Sequence, residues 1–86
     1  MREVIVTVIF SAGGKKKGYD MEIPCHITAK QAAENIVETL NDYNPGLFLS
    51  SEGMTLTCQR LGRRLSPDET FNMAGIWNGD YILLGN

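Results

Sequence analysis

Thr28-Ala29-Lys30-Gln31-Ala32-Ala33-Glu34-Asn35-Ile36-Val37-Glu38-Thr39-Leu40-Asn41-Asp42-Tyr43 decides the architecture of this chain. Thr28 and Gln31 stand three apart, the spacing of a capping box in which each side chain satisfies an orphan backbone N–H of the other. Ala29, Ala32, Ala33, Ile36, Val37, Leu40 and Tyr43 recur at three- and four-residue intervals, which gathers them on one helical stripe. Lys30, Glu34, Asn35, Glu38, Asn41 and Asp42 take the opposite side. Asn44-Pro45-Gly46 stops the helix, because a residue before proline disfavours helical backbone geometry. A sixteen-residue amphipathic helix has to bury its stripe, and the flanking sequence offers only strands to receive it.

On the N-terminal side, Val4-Ile5-Val6-Thr7-Val8-Ile9-Phe10 is nearly all β-branched or aromatic and too short for an ordinary helix. Both of its alternating faces are apolar, which predicts a central strand. Ser11 to Gly18, with Gly13, Gly14 and Gly18 around Lys15-Lys16-Lys17, reads as a solvated hairpin loop. Tyr19, Met21 and Ile23 then alternate with Asp20 and Glu22, a second strand with one core face, closed by Pro24.

On the C-terminal side, Leu47-Phe48-Leu49 is expected to plug the open end of the core, or else to form a docking knob. Met54 to Leu61 reads as a third strand, and Gly62-Arg63-Arg64-Leu65 as a turn into a very short fourth one. Ser66 to Phe71 reads as a turn or single helical turn with Pro67 at its first position. Asn78-Gly79-Asp80 is a tight turn, and Tyr81-Ile82-Leu83-Leu84 the last strand. The order ββαββ with a final strand suits an α+β sandwich of one helix on one sheet face. Residues 1–86 read as one domain, without repeat, linker or low-complexity tract.

Composition narrows the function. Of 86 residues, 43% are apolar and 21% charged, values of a globular domain. Eight Lys/Arg against ten Asp/Glu give a formal charge of −2, which does not select for nucleic acid or anionic lipid. No apolar run is long enough to span a bilayer, and the first residues lack the plan of a signal peptide. Cys25 and Cys58 are the only cysteines and His26 the only histidine. They offer a tetrahedral zinc ion three ligands at most, two of them adjacent, so no metal or cofactor is expected. Cys58 reads as a small core residue and Cys25 as a free thiol in a loop, which fits a reducing cytoplasmic setting. No nucleophile elbow or complete phosphate loop is present, since Gly13-Gly14-Lys15 leads into a strand. No catalytic residue is therefore assigned, and the chain is read as a non-enzyme. Lys15–Lys17 and Arg60, Arg63 and Arg64 could meet phosphates, but no aromatic residues interleave to stack bases.

The order of strand, glycine hairpin, strand, capped helix, strand, Leu61-Gly62-Arg63-Arg64-Leu65, then Gly75-Ile76-Trp77-Asn78-Gly79-Asp80-Tyr81-Ile82-Leu83 resembles the ubiquitin-like β-grasp pattern over essentially the whole chain. More narrowly, Tyr19-Asp20-Met21-Glu22-Ile23-Pro24 and Gly75 to Asp80 resemble the YukD/EsaB-like branch, small proteins associated with type VII (WXG100) secretion. The resemblance implies a mixed four- or five-stranded sheet with its first and last strands adjacent, parallel and central. Val4, Val6, Val8, Phe10, Ile82 and Leu84 should then face the helix, and Ile5, Thr7, Ile9, Tyr81 and Leu83 the opposite side.

In ubiquitin that helix-free face docks partners. Here Ile5, Ile9, Tyr81 and Leu83 would make an apolar patch bordered by Thr7, Thr57 and Gln59. Trp77, in a turn beside it, would either pack over the core edge or anchor an interface. The same resemblance implies a non-conjugating interaction module, an accessory or regulatory component of a type VII-like secretion system with protein partners, and leaves a homodimer open. A modifier or sulfur carrier needs a Gly-Gly tail, whereas this sequence closes on Leu83-Leu84-Gly85-Asn86. A ubiquitin-like adaptor unrelated to secretion is the alternative.

Overall fold

A computed structural model describes residues 2–47 and 51–85. The elements in chain order are β1 (Glu3–Ala12), β2 (Lys15–Pro24), α1 (Ala29–Tyr43), β3 (Thr55–Cys58), β4 (Arg63–Arg64), α2 (Phe71–Ala74) and β5 (Tyr81–Gly85). They build one mixed five-stranded sheet in the order β2-β1-β5-β3-β4. β1 and β5 run parallel at its centre, with Thr7, Val8 and Ile9 beside Tyr81, Ile82 and Leu83. The other neighbours are antiparallel. This is the β-grasp arrangement that the sequence pattern resembles, and it explains why both end strands are apolar on both faces.

The capping box forms as the spacing predicts. Gln31 N–H donates to Thr28 Oγ1 at 3.2 Å and Thr28 N–H to Gln31 Oε1 at 3.1 Å. Such a cap stabilises a helix by about 1 kcal/mol. Two further N–H groups at this helix start donate to backbone carbonyls, Ala29 to Glu69 at 2.7 Å and Lys30 to Pro67 at 3.1 Å. The stretch before α2 thus closes the α1 N-terminus, a pairing between segments some 40 residues apart that no local pattern announces.

The stripe Ala29, Ala32, Ala33, Ile36, Val37 and Leu40 is buried against the sheet, where Val4, Val6, Val8, Phe10, Ile82 and Leu84 all point inward. Ile23, Cys25, Leu56, Cys58, Leu65, Phe71 and Ile76 complete the core. Each fully buried aliphatic side chain contributes about 1.5–3 kcal/mol, which makes this layer the main source of stability. Tyr43 departs from the stripe. It is 75% exposed, with its ring 6.4 Å from that of Tyr19.

Several local readings are corrected. The predicted hairpin loop over Ser11–Gly18 contracts to Gly13-Gly14, and Lys15–Lys17 belong to β2, paired with Ala12, Ser11 and Phe10. Both glycines have positive φ, 59° and 78°, as a two-residue hairpin turn matched to the strand twist requires. Three lysines look like a loop by composition, yet all three are exposed on β2, where a lysine charge reaches water without a loop. Tyr19, expected on a core face, is 44% exposed because β2 is the outer strand and only its far end, at Ile23, lies under α1.

β3 stops at Cys58, short of the predicted Leu61, because the Gly62 N–H turns back to the Cys58 carbonyl at 2.9 Å. The helical turn is α2, begun by Thr70, whose Oγ1 accepts from Met73 N–H at 3.0 Å; Pro67 lies before it. Cys25 is buried at the end of β2, and Cys58 lies on β3; both thiols are free. Leu47 packs against the core margin, whereas Phe48 and Leu49 lie outside the described residues.

Candidate protein-docking face

The face of the sheet away from α1 is built by alternation. Residues of β1 and β5 that do not point at the helix must point the other way, which brings Ile5, Thr7, Ile9, Tyr81 and Leu83 together. Ile9 lies directly beside Leu83 and Thr7 beside Tyr81. Ile5 is 49% and Tyr81 50% exposed, and Ile9 and Leu83, further along the two strands, are half-buried. Thr57 lies next to Leu83 on β3, and Gln59 donates its N–H to the Tyr81 carbonyl at 3.0 Å, so both border the patch as expected. Thr7 Oγ1 donates to Asp20 Oδ1 at 2.6 Å and satisfies the polar group nearest the aliphatic residues.

Trp77 reaches the same end of the sheet through the turn that precedes β5. Ile5 N–H donates to Asn78 Oδ1 at 2.9 Å, Gly79 N–H to the Ile5 carbonyl at 2.8 Å, and Thr7 N–H to the Asp80 carbonyl at 2.9 Å. Gly79 has φ of 87°, which gives glycine its place in this turn. Of the two placements open to Trp77, the exposed one holds: the indole is 63% exposed, and its neighbour Ile76 enters the core instead.

An ion pair against the indole was invisible in the sequence. Asp80, the buried carboxylate of the turn, accepts from Arg60 Nε at 2.9 Å and Nη2 at 3.0 Å, and from Trp77 N–H at 2.8 Å. Arg60 Nη2 also donates to the Gly75 carbonyl at 2.7 Å, and the guanidinium carbon lies 3.6 Å from the Trp77 ring centroid. The Arg60 fork holds the Asp80 carboxyl below its ordinary range, against burial, which pushes the other way. The guanidinium over the ring, anchored by its bidentate grip on Asp80, holds the indole in place. The sequence offers Arg60 only as a cation that could meet phosphates, set aside because no aromatic residues interleave, and Asp80 as a turn residue. Only the Trp77–Asp80 spacing of three hinted at a side-chain cap, and nothing marked Arg60, which lies 20 residues from its partner.

Arg63 is engaged in the same manner. Its Nη1 and Nη2 donate to the two oxygens of Glu69 at 2.8 and 3.0 Å, and Ser66 N–H donates to the same carboxylate. Arg63 and then the Ser66 N–H draw the Glu69 carboxyl down from 4.5 to about 2. A carboxyl whose folded pKa is depressed adds stability above its unfolded value and gives it up as pH falls toward the folded one. Thermal unfolding followed across pH should therefore show Tm falling from about 4.5 down to about 2, with a shallower fall in Glu69→Gln. Equal slopes in the two proteins would remove Glu69 from the acid response.

Among the described residues no group of three or more His, Cys, Asp and Glu side chains is placed to hold a metal ion, and no helix is long and apolar enough to cross a membrane.

Comparison with solved structures finds the same fold. An ubiquitin from Caldiarchaeum subterraneum superposes with a TM-score of 0.72 at 19% identity, covering 96% of this chain and 91% of that one. The ubiquitin-like domain of the type VII secretion system protein ECCD1 from Mycobacterium tuberculosis gives 0.70 at 16% identity over the whole of both chains. The ubiquitin-like domain of Dsk2 from Plasmodium falciparum gives 0.66 at 16%, covering 98% of this chain and all of that one. A comparison of the sequence with curated proteins finds no match. The family model described as "WXG100 protein secretion system (Wss), protein YukD" matches residues 4–84. With the β-grasp sheet and a match over nearly its full length, the chain belongs to the YukD family of the WXG100 protein secretion system.

Proposed function

We propose that this chain, a single ubiquitin-like domain over residues 1–86, is a non-conjugating and non-catalytic cytoplasmic interaction module. It serves as an accessory or regulatory component of a type VII-like secretion system. It binds a protein partner through Ile5, Ile9, Tyr81 and Leu83, with Trp77 as an anchor at the margin. The observation that carries this reading is the half exposure of Ile5 and Tyr81 in the middle of the sheet, where a solvated face is ordinarily polar. Apolar groups left contiguous and uncovered favour association. The indole held by Arg60 adds a rigid aromatic of the kind that dominates interface energetics.

Membership of a secretion-system family supports a partner from that machinery, and the fold likeness to the ECCD1 domain is consistent with it. Few residues take part, so the contact is of the transient class. Affinity capture from the native host should recover a partner with the parent protein and lose it with Ile5→Lys/Leu83→Lys. A thermal melt shows that the variant is folded, and Ile5→Lys alone, at a half-exposed position, gives an intermediate loss. Undiminished capture by the folded double variant would move the docking surface elsewhere.

A further inference from the structure

The two edges of the sheet differ. One is β4, two residues long; the other is β2, ten residues long, with most of its side chains exposed. Long uncovered edges invite another strand, and short ones do not.

The register states which β2 groups are free. Cys25 N–H donates to the Arg2 carbonyl at 3.0 Å, one step beyond the Glu3–Pro24 pair, so the odd-numbered β2 residues bond to β1. Alternation in an antiparallel ladder then turns the N–H and C=O groups of Lys16, Gly18, Asp20 and Glu22 outward. Pro24, which has no N–H, ends the usable edge.

We infer that this edge pairs with its own copy, antiparallel about a two-fold axis at Tyr19, so that Lys16 of each protomer faces Glu22 of the other. The charges carry the choice of occupant. Lys16 and Glu22 lie on the same sheet face, both exposed, and neither forms an ion pair among the described residues. With Tyr19 on the axis, Gly18 meets Asp20, whose carboxylate is already held by Thr7, and two Lys16–Glu22 pairs close the ends.

The neighbouring registers are worse. Moving the axis to Asp20 sets that carboxylate against itself, and moving it to Gly18 takes Glu22 to the hairpin turn without a cation. A slip that shifts the axis by half a residue opposes bonding and non-bonding positions. On the helix side the stems of Lys15 and Lys17 would cover Ile23 and Met21 of the second copy. Tyr19, with Phe10 and Tyr43 already beside it, would meet its own equivalent. Residues 16–22 of each copy make a small interface, so the dimer dissociates on dilution.

Across this axis Tyr19 would be a non-hydrogen-bonded pair with its own copy, at a Cα separation of about 4.5 Å, within disulfide range. Mild oxidation of Tyr19→Cys should give a covalent dimer well above the yield of Glu38→Cys, an exposed helix position that reports random collision; the native thiols are buried. Adding Glu22→Lys should reduce the yield about tenfold, because two attractive cross-strand pairs become repulsive. Combining Lys16→Glu with Glu22→Lys should restore it, since the pairs re-form with sign exchanged. The inference fails if Tyr19→Cys crosslinks no better than Glu38→Cys, if Glu22→Lys has no effect, or if the exchanged pair does not recover. Both charge sites are exposed, so these changes leave the fold intact, as a thermal melt of each variant would verify.

Discussion

Truncating Phe71 to alanine is expected to destabilise the chain by about 3–5 kcal/mol, the usual effect of deleting a buried aromatic ring. A domain of this length holds only about 4–13 kcal/mol in total. Phe71 is fully buried although it begins a helix of four residues, too short to persist without tertiary support. Its carbonyl receives Ile76 N–H at 3.1 Å, and the next residue donates Asn72 N–H to the Cys25 carbonyl at 3.0 Å. The ring therefore fastens the 66–77 segment to the core, and that segment closes the α1 N-terminus. Thermal unfolding should shift down by more than about 12 °C, at roughly 4–8 °C per kcal/mol for such a domain. Phe71→Leu, which refills most of the space, should recover most of the loss. A shift of only a few degrees in Phe71→Ala would mean that this segment melts apart from the sheet.

Asp80→Ala carries the second largest expected effect, about 2–4 kcal/mol. A buried carboxylate that accepts from Arg60 and from a backbone N–H cannot be removed without stranding its donors. Arg60 can swing toward water, which limits the loss. Asp80→Asn, which keeps an acceptor oxygen, should be milder. Trp77 is the chain's only tryptophan and lies under the Arg60 guanidinium, so its emission reports the change directly. Urea unfolding read by that emission should show a lower midpoint and a shifted folded baseline in Asp80→Ala. An unchanged folded spectrum would show that Arg60 holds the indole without Asp80.

These two side chains also mark where the sequence stopped being informative. The α1 helix was legible because its evidence is local: a cap three residues apart and an apolar period of one helical turn. Burial of Val4, Val6, Val8, Phe10, Ile82 and Leu84 was legible through period-two alternation once the strand order was in hand. That order came from resemblance to the β-grasp pattern, because no local signal pairs Thr7 with Tyr81. The composition of the helix-free face followed from the same alternation. Its support did not: Arg60 finds Asp80, and Glu69 finds the α1 N-terminus, only after the chain has folded. The lysine triplet misled for the opposite reason. Charge near glycine is ordinary in loops, and only the register shows that two glycines suffice for the turn.

The parallel pairing of β1 with β5 has a consequence for biosynthesis. Thr7 and Tyr81 are neighbours in space yet lie in β1 and β5, so one is made long before the other. Until residues 81–85 leave the ribosome, β1 has a partner on one side only, and the α1 stripe has half a sheet to cover. The nascent chain consequently carries an open apolar seam until residues 81–85 emerge, and closure of the sheet awaits that strand.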